Sequence, residues 1–426
     1  MEQLRDQLLQ ETYYQEQLDN GLTVVLLPRP DYVKTYAMFT TRYGSIDQHF
    51  RLPDGEKLLV PDGIAHFLEH KMFEEAEGDV FQQFSQQGAS ANAFTSFNRT
   101  SYLFTGTEKI EENLTTLLNF VQRLYLTDEN VEKEKGIIGQ EIRMYEDNPD
   151  WRVYFGLIGA LFQKHPVRID IAGTIQSIAK IDKEVLTTCH ETFYHPSNMF
   201  LFVVGPMDPK KTIALIRENQ DKKPFRDRRE IERFFSKEPE AVATKRAETS
   251  LSVGIGKCYF GFKEIKLGAQ GDQYLKQQLS TELMLESIFG SGSSFYQSLY
   301  DEGLIDEQFG ASYSLEKEFG FSAIGGDTVD PDRLLTRVKE ELPKRVKQGI
   351  SEDDFLRLRN KEMGRMVKAF NSPEWIANQY TGLWLNDASL LRYLPVLDNL
   401  TVDDVNQRMK EHIDEERFAA SIVKPL

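Results

Sequence analysis

Long apolar runs are absent from this chain, and none approaches the about 18 consecutive apolar residues that a membrane-spanning helix needs. The N-terminal stretch MEQLRDQLLQETYYQEQLDNG carries acids and glutamines where a signal peptide needs an apolar segment. Cysteine is nearly absent too, since Cys189 and Cys258 are the only two, which excludes a disulfide framework and a thiolate metal site. We therefore expect a cytoplasmic protein that has no membrane partner.

Basic residues are in deficit, with 51 lysines and arginines against 67 aspartates and glutamates and a formal charge of −16. This balance argues against nucleic acid as the main partner, because no broad cationic surface can form. With 40% hydrophobic and 28% charged residues, the composition is typical of a globular protein. The 426 residues exceed one compact core and predict two domains of about 200 residues each.

Apolar periodicity predicts both strands and helices, and therefore an α+β fold in which mostly antiparallel sheets are flanked by helices. Strands are predicted at 22–28, 35–43, 91–105 (one or two strands) and 199–205. A loop at 47–62 precedes a helix with the sequence HFLEH, and further helices are predicted near 79–87, 109–126, 128–147, 151–163 and 182–194.

A charged stretch with two prolines at 217–248 lacks a sustained apolar period, which is typical of a linker. It would separate an N-terminal domain, 1–216, from a C-terminal domain, 249–426. Weak similarity recurs in the same order in both parts, which indicates an internal repeat. The paired segments are HFLEHKMF (66–73) with ELMLESIF (282–289), QQGASANAF (86–94) with QFGASYSLE (308–316), and NMFLFVVGP (198–206) with RFAASIVKP (417–425).

Two of only seven histidines lie four residues apart in HFLEH, residues 66–70. On a helix, His66, Glu69 and His70 fall within about 100° of one another, while apolar neighbours occupy the opposite side. Two imidazoles on one face, one turn apart, are the arrangement that binds a small cation. The alternative is a polar helix face that meets water. Asp62 is the expected N-cap of this helix.

A catalytic zinc takes three protein ligands, so a third must come from another segment. The predicted helix TDENVEKEKGIIGQEIRMYEDNP offers Glu134 and Glu141, seven residues apart and on the same stripe as Val131 and Ile138. Carboxylates on an apolar stripe are costly unless they bind something. This stretch alone is equally consistent with two solvated glutamates.

Glu69 lies beside the expected ligands and on their side of the helix. A carboxylate in that place can take a proton from an attacking water and pass it to a leaving amine. Peptide hydrolysis is the reaction that this arrangement indicates.

The order H-x-x-E-H, followed some seventy residues later by VEKEKGIIGQEIRMYEDNP, resembles the pitrilysin family of zinc metallopeptidases, also called the insulinase or mitochondrial-processing-peptidase family. GASANAFTSFNRTSYLF is similar to that family's strand after the zinc helix, and YHPSNMFLFVVGPMD to its domain end. The resemblance spans the chain and is strongest over 60–150. It implies two homologous α+β domains that form a clam-like half.

Carried over, the resemblance implies one zinc ion bound by His66, His70 and Glu141, with Glu69 as the base. Glu134 matches the family's second acidic position, which assists the catalytic site without binding zinc. The residues that match the family's substrate-binding edge strand are Ala91, Asn92, Ala93, Phe94 and Thr95. An extended peptide would pair with this strand through its backbone, so that its sequence is loosely read.

One departure from the family concerns an arginine and a tyrosine that active members bring to the scissile carbonyl from a second domain. In SSFYQSLYDEGLID, 293–306, Tyr300 stands at the arginine position and Asp306 at the tyrosine position. Tyr296 and Tyr313 remain as alternative phenols. Some bacterial members work as pairs in which a zinc-less homologue supplies the missing groups. The resemblance therefore implies a heterodimeric peptidase for short or unfolded peptides.

Two other functions fit the same sequence. The first is a non-catalytic scaffold subunit of the same fold, against which the intact His66, Glu69, His70 and Glu141 argue. The second is a dedicated maturase for one peptide, which only the substrate would distinguish from general peptide clearance.

Overall fold

A computed structural model describes residues 1–6, 9–52, 55–76, 78–225 and 230–426. The chain divides into two compact units, each assembled from separate segments. Unit 1 comprises Met1–Ile142, Ile169–Phe234 and Ala369–Leu385, and unit 2 comprises Arg143–Arg168, Phe235–Lys368 and Asn386–Leu426.

Unit 1 is built on a seven-stranded sheet in the order β1-β2-β3-β11-β4-β10-β9. Its strands are β1 (Glu2–Arg5), β2 (Thr12–Gln17), β3 (Thr23–Pro28), β4 (Thr35–Thr41), β9 (Ala89–Thr95), β10 (Thr100–Gly106) and β11 (Met199–Gly205). Two small hairpins add β5 (His49–Arg51) with β6 (Lys57–Leu59), and β7 (Glu74–Glu75) with β8 (Gly78–Asp79). All pairs in the large sheet are antiparallel except β3 with β11. The central β4 and β11 are buried along their whole length.

The sheet of unit 1 is contacted by the helices α1 (Ile64–Met72), α2 (Val80–Gln86), α3 (Ile110–Val121), α8 (Pro209–Asp221) and α13 (Pro373–Leu385). The remaining helices of this unit are α4 (Asp128–Glu146, whose last turn belongs to unit 2), α6 (Ile175–Ile178) and α7 (Lys183–Phe193). Helix α1 contacts β9 and β10, and α13 contacts β4 and β11. Trp384 of α13 stacks on Phe200 of β11 with ring centroids 4.6 Å apart, which ties this late segment to the N-terminal sheet.

Unit 2 has a five-stranded sheet in the order β12-β16-β13-β15-β14. Its strands are β12 (Arg246–Leu251), β13 (Gly256–Phe262), β14 (Gly310–Leu315), β15 (Gly320–Thr328) and β16 (Phe418–Pro425). Its helices are α5 (Pro149–Leu161), α9 (Gly271–Phe289), α10 (Ser294–Asp301), α11 (Pro331–Gln348), α12 (Glu352–Ala369), α14 (Tyr393–Asn399) and α15 (Val402–His412). Helix α5 packs on β12, β13 and β16, while α9 contacts β14 and α15.

The two sheets share one strand pattern. In each, a parallel pair (β3 with β11, β12 with β16) is followed by three antiparallel pairings that end on an edge strand. The segments aligned in the internal repeat fall on equivalent elements, namely α1 and α9, β9 and β14, and β11 and β16. The prediction of a two-domain α+β fold with mostly antiparallel sheets is therefore confirmed.

Several element predictions need correction. Strands β1 and β2 were not predicted, because their polar sequences EQLR and TYYQEQ carry little apolar alternation. The expected loop at 47–62 contains the β5–β6 hairpin, although residues 53 and 54 lie outside the described part of the chain. Helix α3 ends at Val121 rather than near residue 126.

The expected linker, 217–248, overlaps regular structure at both ends, because α8 continues to Asp221 and β12 begins at Arg246. Its residues 226–229 lie outside the described part of the chain. The expected domain limits, 1–216 and 249–426, stay a prediction. Within the described residues, no helix combines the length and the apolar character that crossing a membrane requires.

Candidate metal and catalytic site

Helix α1 carries the HFLEH residues and begins at a glycine rather than at the expected Asp62 cap. Gly63 is the N-cap, with φ of 86°, and no side chain caps this helix end. A Cβ atom at Gly63 would lie 2.4 Å from the carbonyl oxygen of Ala172, so this close approach requires glycine. Ile64, Phe67, Leu68 and Met72 are buried and anchor the helix in the core.

The two imidazoles of α1 lie side by side on one face, with ring centroids 4.6 Å apart. His66 is 9% exposed and His70 half-buried. Nε2 of His66 lies 3.7 Å from Oε1 of Glu141, and Nε2 of His70 lies 3.5 Å from Oε2 of the same carboxylate. Among the described residues, these three form the one group of potential ligands whose donor atoms all lie within 4.8 Å of one another.

Helix α4 brings both expected carboxylates to α1. Val131, Glu134 and Ile138 are buried on the predicted stripe, so Glu134 is enclosed rather than solvated. Oε1 of Glu134 lies 3.0 Å from Nδ1 of His70, whereas Glu141 faces the Nε2 atoms. The two glutamates thus occupy different places: Glu141 joins the cluster, and Glu134 lies behind one imidazole.

Burial and charge set the protonation of the cluster. Burial, helped by the neighbouring His70, lowers the pKa of His66 to about 4, which leaves a neutral imidazole near pH 7. Burial alone would lower the pKa of His70, but the hydrogen bond with Glu134 and the nearby carboxylates raise it. Burial would likewise raise the pKa of Glu134, yet the bond with His70 and the charges of His70 and Lys71 hold it below its usual value.

Glu69 lies on the same face as the imidazoles and is tied to the edge strand. The hydroxyl of Thr95 donates a 2.6 Å hydrogen bond to Oε2 of Glu69. Burial raises the pKa of Glu69, and this bond acts in the opposite direction. Thr95, expected to contact substrate, therefore directs its side chain to Glu69.

Strand β9, which contains the five expected substrate-binding residues, is the edge of the large sheet, paired on one side with β10. The N–H of Ala93 donates to the side chain of Asn92 rather than to β10. Since N–H groups alternate between the two sides of a strand, Ala91 and Ala93 direct theirs to the open edge. The side of β9 away from β10 has no strand partner among the described residues, and a strand added there would take the Ala93 N–H from the Asn92 side chain.

A cavity of about 620 Å³ adjoins these groups. Its wall includes Glu69 and His70, together with Asn92 and Ala93 of the edge strand. Phe73 and Phe81, whose rings stack with centroids 4.2 Å apart, supply an apolar side. The cavity can accept a bulky side chain next to the cluster.

Sequence reasoning missed Lys71, which follows His70 directly and is fully buried. Its Nζ lies 2.6 Å from Oε2 of Glu74 and 3.5 Å from Oε2 of Glu134, and it donates to the carbonyl of Asn130 at 3.3 Å. A signal was available, because Lys71 continues the apolar stripe of Ile64 and Leu68 at helical spacing. A lysine in such a position needs buried acceptors.

In unit 2, different residues stand at the positions that correspond to the two histidines of unit 1. Glu282 and Glu286 of α9 replace the two histidines, and Glu286 pairs with Lys361 at 2.5 Å. The two alternative phenols are engaged inside unit 2, where Tyr296 donates to the carbonyl of Asp306 and Tyr313 donates to Glu264.

The fold and the cluster together define a class: two-domain α+β chains that carry an imidazole–imidazole–carboxylate group beside the open edge of a sheet. The family model described as "Insulinase (Peptidase family M16)" matches residues 60–175, and that described as "Peptidase M16 inactive domain" matches 180–362. These ranges include α1 and α4 in the first match and α9 and α10 in the second.

Comparison with individual proteins indicates the same family. The uncharacterized zinc protease YmfH of Bacillus subtilis (strain 168) is 52% identical over 418 residues, which cover 98% of this chain and 97% of YmfH. An M16-like peptidase from Alicyclobacillus acidocaldarius has a crystal structure that matches with a TM-score of 0.95 at 44% identity, covering 98% of this chain and 99% of that one.

More distant structures share the fold. The crystal structure of pitrilysin matches with a TM-score of 0.74 at 16% identity, covering 99% of this chain and 46% of pitrilysin. This chain belongs to the M16 family of insulinase-like peptidases, and the sequence-based resemblance is confirmed.

Proposed function

We propose that this chain is a zinc-dependent endopeptidase that hydrolyses short or unfolded peptides. The observation that carries the proposal is the group of His66, His70 and Glu141, whose donor atoms lie within 4.8 Å of one another. Glu69 on the same helix face supplies a base next to that group, and β9 supplies an open strand edge. The relatives named zinc proteases support the same class of reaction.

The residues present fit one zinc ion. Two imidazole nitrogens and one carboxylate oxygen are the donor types that zinc takes in catalytic sites, where a further position stays open for water or substrate. Both Nε2 atoms approach different oxygens of Glu141, so three side chains converge on one point. When bound there, zinc supplies a Lewis acid that polarises a carbonyl and makes water more acidic.

Within this arrangement, Glu69 takes the proton from the attacking water and later gives it to the leaving amine. Its burial favours the protonated form, which suits the second step, while the bond from Thr95 orients the carboxylate. Glu134 accepts a hydrogen bond from Nδ1 of His70 and leaves Nε2 free to act as a ligand.

Substrate binding is assigned to β9. An extended peptide adds to the open edge through its backbone and pairs with the outward groups of Ala91 and Ala93. The cavity beside Glu69 receives one side chain of the peptide, and Phe94 and Asn92 belong to the same strand. Backbone pairing makes the enzyme tolerant of sequence in its substrates.

We further propose that full activity needs a homologous chain without zinc. Tyr300 and Asp306 occupy the positions where active relatives have arginine and tyrosine, and the hydroxyls of Tyr296 and Tyr313 are already engaged. Without such donors the oxyanion is stabilised by several kcal/mol less, at about 3 kcal/mol for each donor removed. A partner that supplies an arginine and a tyrosine restores this stabilisation.

The cytoplasm is the compartment that we propose for this heterodimer. Cys189 and Cys258 are both buried free thiols, which suits a reducing environment.

Elemental analysis of the purified chain beside Glu141→Gln tests the metal site first. We expect about one zinc per wild-type chain and a sharp loss in the variant, because a carbonyl oxygen replaces a charged ligand. Cleavage of unstructured peptides, slow for the isolated chain and restored by the partner, tests the reaction. Absence of zinc from the wild type after reloading would favour a non-catalytic scaffold. Full turnover by the isolated chain would contradict the need for a partner.

A further inference from the structure

Lys71 is a fully buried lysine whose ammonium group faces three acceptors. These are the carbonyl oxygen of Asn130, Oε2 of Glu74 and Oε2 of Glu134, at 3.3, 2.6 and 3.5 Å. An ammonium group has three hydrogens, so the three acceptors account for its whole donor capacity. The side chain is enclosed by its own protein and has no surface with which to touch a substrate.

Packing alone does not explain a lysine at this place. Burying an ammonium group costs roughly several kcal/mol of desolvation free energy, which hydrogen bonds and ion pairs to its partners then offset. An apolar side chain of similar length would fill the same stripe beside Ile64 and Leu68 without that cost. The charge of Lys71 is therefore explained by the groups that it contacts.

The contacts of Lys71 lead to the expected zinc ligands. Glu134 uses one carboxylate oxygen for Lys71 and the other for Nδ1 of His70, at 3.5 and 3.0 Å. Nδ1 of His66, in contrast, is buried and has no hydrogen-bond partner among the described residues. Of the two imidazoles, only His70 is held by a carboxylate in this way, and Lys71 holds that carboxylate.

Lys71 also joins the two helices that carry the ligands. His66 and His70 lie on α1, Glu141 lies on α4, and Lys71 bonds from α1 to two groups of α4, the Asn130 carbonyl and Glu134. A shift of α4 along α1 would break both bonds. The side chain thus fixes the separation of the ligand-bearing helices as well as the orientation of Glu134.

We propose that Lys71 is a positioning residue for the metal site, which acts through Glu134 to hold the His70 imidazole with its Nε2 atom towards Glu141. The proposal rests on the function proposed above, since it needs a metal at His66, His70 and Glu141. Partners of this kind, which touch a ligand rather than the metal, change metal affinity by about 10- to 100-fold when they are removed.

Zinc affinity of the full-length chain, measured by competition with a chromophoric chelator, tests the proposal. Lys71→Met should weaken zinc binding by about 10- to 100-fold. It should also shift the visible absorption of the cobalt-substituted chain, because the ligand geometry relaxes. Neither measurement depends on catalytic activity.

Lys263→Met is the matched control. Lys263 lies in unit 2, is 1% exposed, and bonds to Glu238, the Pro239 carbonyl and the Ala241 carbonyl at 2.7, 2.8 and 2.8 Å. It is thus an equally buried lysine with three acceptors, and none of its partners belongs to the one group of potential ligands found among the described residues. Its replacement should change zinc affinity by less than twofold. It should leave the absorption spectrum of the cobalt-substituted chain unshifted.

A double variant identifies the route of the effect. When Glu134→Gln has already removed the carboxylate charge, adding Lys71→Met should weaken zinc binding by less than about threefold, far below its effect in the wild type. Equal effects of Lys71→Met in both backgrounds would overturn a route through Glu134.

The folding of each variant is checked by far-ultraviolet circular dichroism without metal. If Lys71→Met does not fold, Lys71→Gln takes its place, since its amide is neutral but still donates hydrogen bonds. Failure of both to fold, with Lys263→Met folded, would assign Lys71 to the fold and overturn the proposal.

The two proposals fail in different ways. Zinc affinity that stays within twofold of wild type in the folded Lys71 variants overturns the role of Lys71 alone. A wild-type chain that binds no zinc overturns the metal site and the role of Lys71 together. A chain that binds zinc but cleaves no peptide leaves the Lys71 measurement valid and contradicts only the proposed reaction.

Discussion

The hydroxyl of Thr95 donates a 2.6 Å hydrogen bond to Oε2 of Glu69. Thr95 is the last residue of the edge strand, and Glu69 lies on the helix that carries both histidines. The bond therefore connects the expected substrate strand with the expected base. A peptide that pairs with β9 is held by the same element that orients the carboxylate.

Thr95→Val tests this connection. Valine has a similar shape but no hydroxyl, so Glu69 loses one oriented donor, a loss of about 1 kcal/mol or more for a bond to a charged group. We expect peptide cleavage to fall about 5- to 20-fold, while zinc content stays at the wild-type level. Thr95→Ser, which keeps the hydroxyl, is the control and should retain most of the activity. Unchanged cleavage by Thr95→Val would show that the bond does not matter.

Glu69→Gln separates the base from the ligands. Glutamine keeps the size of the side chain but cannot accept the proton, so cleavage should fall by about 10²- to 10⁴-fold. Zinc binding should persist, since His66, His70 and Glu141 are the three side chains of the cluster. Parallel zinc analysis and peptide assays, both with the partner chain present, provide the measurement. A variant that loses zinc would place Glu69 among the ligands instead.

Ala93→Pro examines backbone pairing at the edge strand. Proline removes the N–H of Ala93, which donates to the Asn92 side chain rather than to β10, so the pairing of β9 with β10 is preserved. The loss of one intermolecular hydrogen bond predicts a roughly 5- to 10-fold drop in kcat/KM, carried mainly by KM. Ala93→Val, which retains the N–H, should have a much smaller effect. Equal losses in both variants would indicate a steric effect rather than lost pairing.

A buried ionic cluster in unit 2 makes stability depend on pH. Oε2 of Glu264, a 2% exposed residue, accepts hydrogen bonds from Arg408, His412 and Tyr313. Burial would raise the pKa of Glu264, but the bond from His412 and the charges of His412 and Arg408 hold it well below its usual range. Burial also lowers the pKa of His412.

The lowered pKa of Glu264 and the lowered pKa of His412 both make the folded chain less stable as the pH falls. The stabilisation from Glu264 is fully present above its unfolded pKa of about 4.3 and is lost as the pH falls towards its folded pKa. His412 adds a loss that begins below about pH 6.5, because the unfolded imidazole then binds a proton more readily than the folded one. Urea unfolding should therefore show falling stability from pH 7 to pH 4.

Glu264→Gln should destabilise the chain by about 3 kcal/mol at pH 7, because the buried Arg408 loses one of its two counter-charges and keeps only Glu411. It should also make the free energy of unfolding depend less on pH below about pH 4.3. Glu248→Gln, which breaks a surface pair with Lys424, is the control and should change stability by less than about 1 kcal/mol. A steep pH dependence that survives in Glu264→Gln would assign it to other groups.

The local features of the site could be derived from the sequence. The 3.6-residue period of a helix places His66, Glu69 and His70 on one face wherever that helix packs, so their common orientation depends on nothing distant. The two-domain α+β fold and the internal repeat could also be predicted from the sequence. Apolar periodicity and the order of similar segments can both be read along the chain without knowing its tertiary contacts. Strands β1 and β2 were missed, since their polar sequences carry little apolar alternation.

Only the tertiary structure decided which groups meet. Periodicity placed Glu134 and Glu141 on one stripe, but the packing of α4 against α1 directs Glu141 to both Nε2 atoms and Glu134 to Nδ1 of His70. The same packing encloses Lys71. Contacts between segments about sixty residues apart depend on how helices pack in three dimensions, and the side-chain pattern of either helix alone does not specify that arrangement.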